Sequence, residues 1–133
     1  SHVGLKILFK ILSEGEEEEV TRALTIVRNL ASVASLRKQM ITDKDEVLGM
    51  DKLFTFLISG TQKHQEIAIG MLVKFTDDRN CRGFVTDSII KPRILNAIVE
   101  TVNCGSLEGK SDAAKVILNL FQDAANKDAV ASA

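Results

Sequence analysis

The sequence contains no tryptophan, no tyrosine and a single proline among its 133 residues. A strand-rich fold normally uses more large aromatic side chains and more turn-forming residues. An excess of one charge is missing as well, since 17 lysines and arginines face 18 acidic residues, and a dedicated nucleic-acid-binding protein would be strongly basic. Because 45% of the residues are hydrophobic, intrinsic disorder is excluded too. The composition predicts one mostly helical globular domain over residues 1–133 that binds no nucleic acid.

Cysteines and long apolar runs are also scarce. Cys81 and Cys104 are the two cysteines, and they form no CxxC pair. They indicate reduced thiols in an intracellular protein, with a single disulfide between them as the alternative. The longest apolar stretch, residues 3–12, is interrupted by Lys6 and Lys10 and is too short to span a bilayer. We therefore expect a cytoplasmic or nuclear protein that does not enter membranes.

Chemically reactive groups are few. The histidines are His2 and His64, and neither stands in a pattern that pairs it with a cysteine or a set of zinc ligands. Residues 43–46 lack the glycine and the glutamate that a calcium-binding loop requires, and residues 105–110 lack the spacing of a phosphate-binding loop. We expect His64 to be an exposed helix residue. The sequence predicts no catalytic residue, no metal site and no cofactor, and hence no enzyme.

What the sequence does contain is an internal repeat with a period of 45 residues. Three apolar segments, residues 5–12, 50–57 and 95–102, are each followed by a glycine three residues later. These glycines and several other small or apolar residues recur at the same step: Gly15, Gly60 and Gly105; Ala23, Ala68 and Ala113; Val27, Leu72 and Ile117; Leu30, Phe75 and Leu120. Three copies in register predict a repeat protein.

Each copy predicts a helix, a stop and a second helix. The apolar residues of the first helix follow the spacing of an amphipathic helix, namely Leu5, Leu8, Phe9 and Leu12. We expect the glycine after it to end that helix in the left-handed conformation. Residues 16–19, all glutamates, are expected to form the solvated first turn of the second helix, where negative charge meets the helix dipole. The residues of this second helix expected to be buried in the first copy are Ala23, Ile26, Val27 and Leu30.

A short third helix is predicted between the second helix of one copy and the first helix of the next. Ser35 and Asn80 are good N-cap residues for it, and Pro92 falls where the following helix starts, a position that tolerates proline. The repeats are therefore expected at about residues 3–34, 35–79 and 80–125, with the start of a further repeat at 126–133.

This arrangement resembles the armadillo repeat family. Residues 89–95 resemble the apolar-proline entry into that family's second helix, residues 105–110 and 113–120 resemble its third helix, and residues 19–31 fit the same third-helix pattern. HEAT repeats share the period but have two helices per unit, so the short third helix favours armadillo. The stretch at 105–110 is also similar to the armadillo repeats of plant U-box ubiquitin ligases. The resemblance implies an all-α fold, a right-handed α-solenoid of about three three-helix repeats.

In armadillo proteins the third helices line a concave groove that holds extended peptides. The helix period places the groove side of these helices at nine residues of this chain: Arg22, Thr25, Asn29, Ile67, Gly70, Lys74, Asp112, Lys115 and Asn119. The resemblance implies that Asn29 and Asn119 match the groove asparagine that hydrogen-bonds a peptide backbone. The middle copy departs from that pattern, because Lys74 stands at its asparagine position.

The predicted groove is mildly basic. It lacks the groove tryptophan of nuclear-import adaptors, because the three matching positions hold Thr25, Gly70 and Lys115, so binding of basic localisation signals is not expected. A protein or extended peptide of acidic character is the expected partner. The sequence thus predicts a protein–protein interaction module. Two alternatives stay open, a substrate-recruiting segment of a larger enzyme such as a ubiquitin ligase and a purely structural segment of a longer solenoid.

The first helix is apolar around most of its circumference. Val3, Ile7 and Ile11 add to the amphipathic stripe of this helix, and this is more apolar surface than one packed face requires. No short helix precedes it to cover the remainder. We expect either that the chain is a piece of a longer protein or that it forms a homodimer through the helix at residues 3–12.

Overall fold

The computed structural model describes residues 2–122, without the side chains of residues 2, 3 and 44–49. The predicted start of a further repeat at 126–133 and the side chain of Val3 therefore lie outside the described part. Within it the chain is all-helical, with no strand, as the composition predicts. The helices are α1 (His2–Glu14), α2 (Glu17–Leu30), α3 (Ala34–Thr42), α4 (Lys44–Ser59), α5 (Gln62–Asp77), α6 (Arg79–Ile89), α7 (Pro92–Cys104) and α8 (Leu107–Phe121).

The helices α2, α5 and α8 begin at capping residues that are themselves 45 residues apart, namely Glu16, Thr61 and Ser106. Thr61 Oγ1 accepts a hydrogen bond from the His64 N–H at 3.2 Å, and Ser106 Oγ accepts one from the Gly109 N–H at 3.1 Å. Glu16 forms a capping box within α2. Because each cap satisfies otherwise unpaired N–H groups, the three helices start at equivalent points. The prediction of a solvated acidic first turn in α2 is confirmed.

The glycines that end α1, α4 and α7 are needed for a different reason from the predicted one. No glycine in the described chain has a positive φ, and Gly105 has a φ of −75°, so the expected left-handed conformation is wrong. A Cβ atom at Gly15, Gly60 or Gly105 would lie 2.7, 2.5 or 2.7 Å from the carbonyl oxygen four residues earlier. Glycine is required because the chain leaves each helix by passing close over its last turn.

The short helices α3 and α6 begin earlier than predicted. Val33 rather than Ser35 is the N-cap of α3, and it makes no side-chain cap. In α6 the N-cap is Asp78 rather than Asn80, and the Asp78 carboxylate accepts the Asn80 N–H at 2.9 Å. A carboxylate binds these N–H groups more strongly than a neutral amide does, which explains the shift in α6. Pro92 is the first residue of α7, as predicted.

Two arginines at equivalent positions close the ends of α2 and α5. Arg37 Nη1 donates to the Ala31 carbonyl at 2.7 Å, and Arg82 Nε donates to the Thr76 carbonyl at 2.6 Å. Each cation thus lies at the negative end of the preceding helix. Arg37 also pairs with Asp78 at 3.0 Å, which connects α3 to the start of α6. The hydrogen bond from Arg37 is the main reason why the pKa of Asp78 lies below its ordinary value.

Helices at equivalent positions of successive copies pack against each other. The helix α5 contacts both α2 and α8, α4 contacts both α1 and α7, and α3 contacts α6. The chain therefore forms rows of equivalent helices, and the row α2, α5, α8 presents one side of the molecule. The two cysteines are free, Cys81 buried and Cys104 exposed.

The core follows the 45-residue register in the second and third copies but not fully in the first. Met71 and Val116 are 1% and 0% exposed, yet Ile26 at the equivalent position of α2 is 46% exposed. The prediction that Ile26 is buried is therefore wrong, and α2 buries Val20 and Leu24 in addition to the predicted Ala23 and Val27. Burial at this position depends on a preceding copy, and the described residues place none beside α2.

We predict that Ala68→Leu and Ala113→Leu each lower the free energy of unfolding by roughly 1–3 kcal/mol. Both alanines are fully enclosed, so the added atoms would force neighbouring helices apart. Urea titrations followed by circular dichroism measure the effect. The matched control is Ala34→Leu, the same substitution at an exposed residue of α3. Denaturation midpoints that equal the control for both variants would contradict close packing at these alanines.

Candidate functional site

The predicted groove residues all lie on α2, α5 and α8, the row of packed equivalent helices. We call these nine residues, together with Arg28, the α2–α5–α8 surface. Their accessibility differs widely. Exposed are Arg22, Asn29 and Lys115; half-buried are Thr25, Arg28, Lys74 and Asp112; buried are Ile67, Gly70 and Asn119.

Arg28, which the sequence reading did not include, lies at the centre of this surface. A Cβ atom at Gly70 would lie 3.0 Å from Arg28 Cδ and 3.3 Å from Asp112 Oδ2. Glycine at position 70 therefore lets the arginine of α2 reach across α5 towards the carboxylate of α8. The available signal was Gly70 itself, because a glycine inside a helix costs about 1 kcal/mol and often marks a close approach.

Asp112 is the central acidic group of the surface. Burial is the largest cause of its raised pKa, and the nearby negative charge of Glu108 adds to it. Lys115, Arg28 and Lys74 oppose the rise, so three cations from three helices act on one carboxylate. Asp112 also lines a cleft of about 170 Å³ between α5 and α8.

At the N-terminal end of the surface, α2 is tied to α5 through a buried histidine. His64 Nε2 lies 2.7 Å from Thr21 Oγ1 in a hydrogen bond, and its ring meets the Phe56 ring edge-on at 5.5 Å between centroids. The expectation that His64 is exposed is wrong, since it is 6% exposed. It is buried because the third residue of α5 lies against the neighbouring helix α2, which a sequence reading of α5 alone does not show.

At the same N-terminal end of the surface, Glu66 links α5 to α8. It stands 45 residues after Thr21. Its carboxylate accepts the Ser106 N–H at 3.0 Å and the Ser106 hydroxyl, and it occupies the space that a side chain at Gly109 would fill. Burial raises the pKa of Glu66, but the hydrogen bonds from Ser106 and Gln62 outweigh burial and lower it overall. A carboxylate from α5 thereby stabilises the start of α8.

At the C-terminal end of the surface, the Asn119 side chain links α8 to α5. Its side-chain NH₂ donates to Thr76 Oγ1 at 3.0 Å and to Asp77 Oδ1 at 2.7 Å, and the residue is 8% exposed. Asn29, at the equivalent position of α2, is exposed and has no side-chain hydrogen bond within the described chain. The two asparagines predicted to act alike therefore differ. The helix α8 packs against α5, its equivalent in the preceding copy, whereas α2 has no such equivalent helix before it among the described residues.

The surface offers cations and an amide for recognition. Among the side chains that the structure describes, no group of three or more His, Cys, Asp or Glu residues is placed to hold a metal ion. None of the helices in residues 2–122 combines the length and the apolar character needed to cross a membrane.

We predict that Asn119→Ala lowers the free energy of unfolding by about 1–3 kcal/mol, because Thr76 and Asp77 lose a buried partner. Asn29→Ala is the matched control, and we expect its effect to stay within about 0.5 kcal/mol. Urea denaturation of both variants measures this. Equal stability losses would contradict the different roles that the structure gives to the two asparagines.

We predict that Asp112→Asn raises the free energy of unfolding near neutral pH. A carboxyl whose pKa is raised in the folded state destabilises the fold above that pKa, and this cost disappears as the pH falls through the raised pKa towards the ordinary value of 3.8. The gain of the variant should shrink over the same range. The exposed Asp87→Asn on α6 is the control for removing a charge, and a pH-independent gain would contradict the assignment.

Comparison with known proteins leaves the geometry as the basis for a function. No known family model, curated protein or solved structure matches the sequence. A function therefore has to be inferred from the α2–α5–α8 surface, its charges and its register.

Proposed function

We propose that the chain is a right-handed α-solenoid of armadillo-type repeats that binds an acidic, extended segment of a partner protein along the α2–α5–α8 surface. The observation that carries the proposal is the side-by-side packing of three helices whose caps recur every 45 residues. Equivalent positions therefore recur along one line across the three helices. Such a line suits a ligand that is itself a repeating, extended backbone.

The charges of this surface favour an acidic partner. Arg22, Arg28, Lys74 and Lys115 are the four cations of the surface, and Asp112 is its carboxylate. Arg22 is already paired with Glu18 at 2.8 Å, so the proposal rests on Arg28, Lys74 and Lys115. Neither Lys74 nor Lys115 has an ion-pair partner within 4.0 Å among the described residues. A carboxylate of the partner would therefore compete with water rather than with an existing salt bridge.

Asn29 supplies a group for the peptide backbone. Its carboxamide can donate to a carbonyl and accept from an N–H of an extended chain. Asn119 keeps only its amide oxygen for this purpose, because both hydrogens of its NH₂ group are used within the fold. The first copy therefore carries the main backbone contact, while Lys74 and Lys115 select the charge. The same surface would serve a substrate-recruiting segment of a larger enzyme.

Selection of linear peptides by phage display on the immobilised chain tests this proposal. We expect the selected peptides to be rich in aspartate and glutamate. Nuclear magnetic resonance with the best peptide should shift backbone amides of α2, α5 and α8. Shifts confined to α1, α4 and α7 would contradict the assignment of the binding surface.

For the same peptide we predict that Lys74→Glu/Lys115→Glu weakens binding roughly tenfold, because attraction turns into repulsion at two positions. The matched control is Lys10→Glu/Lys38→Glu, which changes the net charge equally on exposed residues of α1 and α3. Fluorescence anisotropy measures both affinities. Equal losses in the two double variants would show that only net charge matters and would refute the proposed site.

A further inference from the structure

The first copy exposes a set of apolar residues that the later copies bury. Ile26 is exposed whereas its equivalents Met71 and Val116 are buried. Leu8 and Leu30 are half-buried, and their equivalents in both later copies are buried. We call Leu8, Ile26 and Leu30 the leading face. In the second and third copies these positions lie on the side of the preceding copy.

The predicted self-association residues adjoin this face. Ile7 is 55% exposed and Ile11 is half-buried on α1, the helix that also carries Leu8. The contribution of Val3 lies outside the described side chains. The positions equivalent to Ile7 are half-buried in both later copies, so Ile7 does not meet the criterion that defines the leading face.

The third copy shows the opposite pattern. Five of its residues are half-buried or exposed, whereas the equivalent residues of both earlier copies are buried. We call them the trailing face: Val99, Val102, Ala114, Ile117 and Phe121. In the first two copies these positions lie on the side of the following copy. The described chain therefore presents the two halves of its own internal interface at opposite ends.

We infer that molecules of this chain associate head to tail. The leading face of one molecule packs on the trailing face of its neighbour. The partner is a second molecule of this chain. Its trailing face has the same register positions as the surfaces that cover the leading-face positions of the second and third repeats within the chain. Such an interface joins two different surfaces, so the assembly does not close as a two-fold dimer and grows with concentration. This inference is independent of peptide binding.

The register also specifies which residues meet across the new interface. Within the chain, Arg28 of the first copy lies against Gly70 of the second. Shifted by two repeat periods, the same contact places Leu118 of one molecule beside Thr25 of its neighbour in the assembly. Leu118 is among the most exposed large apolar residues of the described chain, and this packing would cover it.

Sedimentation velocity of the full chain over a concentration series tests the association. We expect the average sedimentation coefficient to rise with concentration. We expect Ile26→Glu to weaken self-association by about tenfold or more, since it places a charge in the apolar interface. The control Leu107→Glu adds the same charge at a more exposed residue outside both faces and should behave as the parent. A parent that stays monomeric throughout, or equal effects of the two variants, would overturn the inference.

Cross-linking tests the direction of the contact. In a Cys104→Ser background, a tagged Thr25→Cys chain and an untagged Leu118→Cys chain are mixed with a short bismaleimide. We expect the mixed product between the two chains in clear excess over products of either chain alone. A Thr25→Cys chain that cross-links mainly to itself would show a symmetric contact and overturn the head-to-tail arrangement. Circular dichroism confirms that each variant keeps its helices.

Discussion

The structure depends on one constraint: the helices of each copy have an apolar side that only the neighbouring copy can cover. Ile26 shows this most clearly, because the same position is buried in the second and third copies and open in the first. A helical repeat of this size cannot enclose its own core. The packing of α5 between α2 and α8 is therefore the source of stability and also the reason why three equivalent helix surfaces lie side by side.

Polar groups fix the alignment that this apolar packing leaves undetermined. Thr21 with His64 and Glu66 with Ser106 tie successive helices at their starts. Asn119 with Thr76 ties α8 to α5 near their ends. These contacts lie near the starts and the ends of the three helices. The middle of the surface is therefore left to Arg28, Gly70 and Asp112, where charge rather than structural hydrogen bonding dominates. The hydrogen bonds near the helix starts and ends therefore determine the geometry of the candidate site.

The sequence alone predicts whatever depends on residues close together in the chain. The end of α1 just before Gly15, the start of α7 at Pro92 and the buried alanines at 23, 68 and 113 all follow from local pattern and period. The burial of His64 and the internal use of Asn119 do not, because each depends on a partner about forty residues away. Arg28 was missed for the same reason, since its reach across Gly70 is a property of two packed helices.

Hydrogen exchange of the chain, at a concentration where it is monomeric, tests the packing account most directly. The backbone amides of α5 should exchange more slowly than those of α2 and α8, because α5 alone among these three helices is covered on both sides within the described chain. Exchange in α5 as fast as in α2 would contradict the account. It would mean that the helices are stabilised singly rather than by their neighbours in the row.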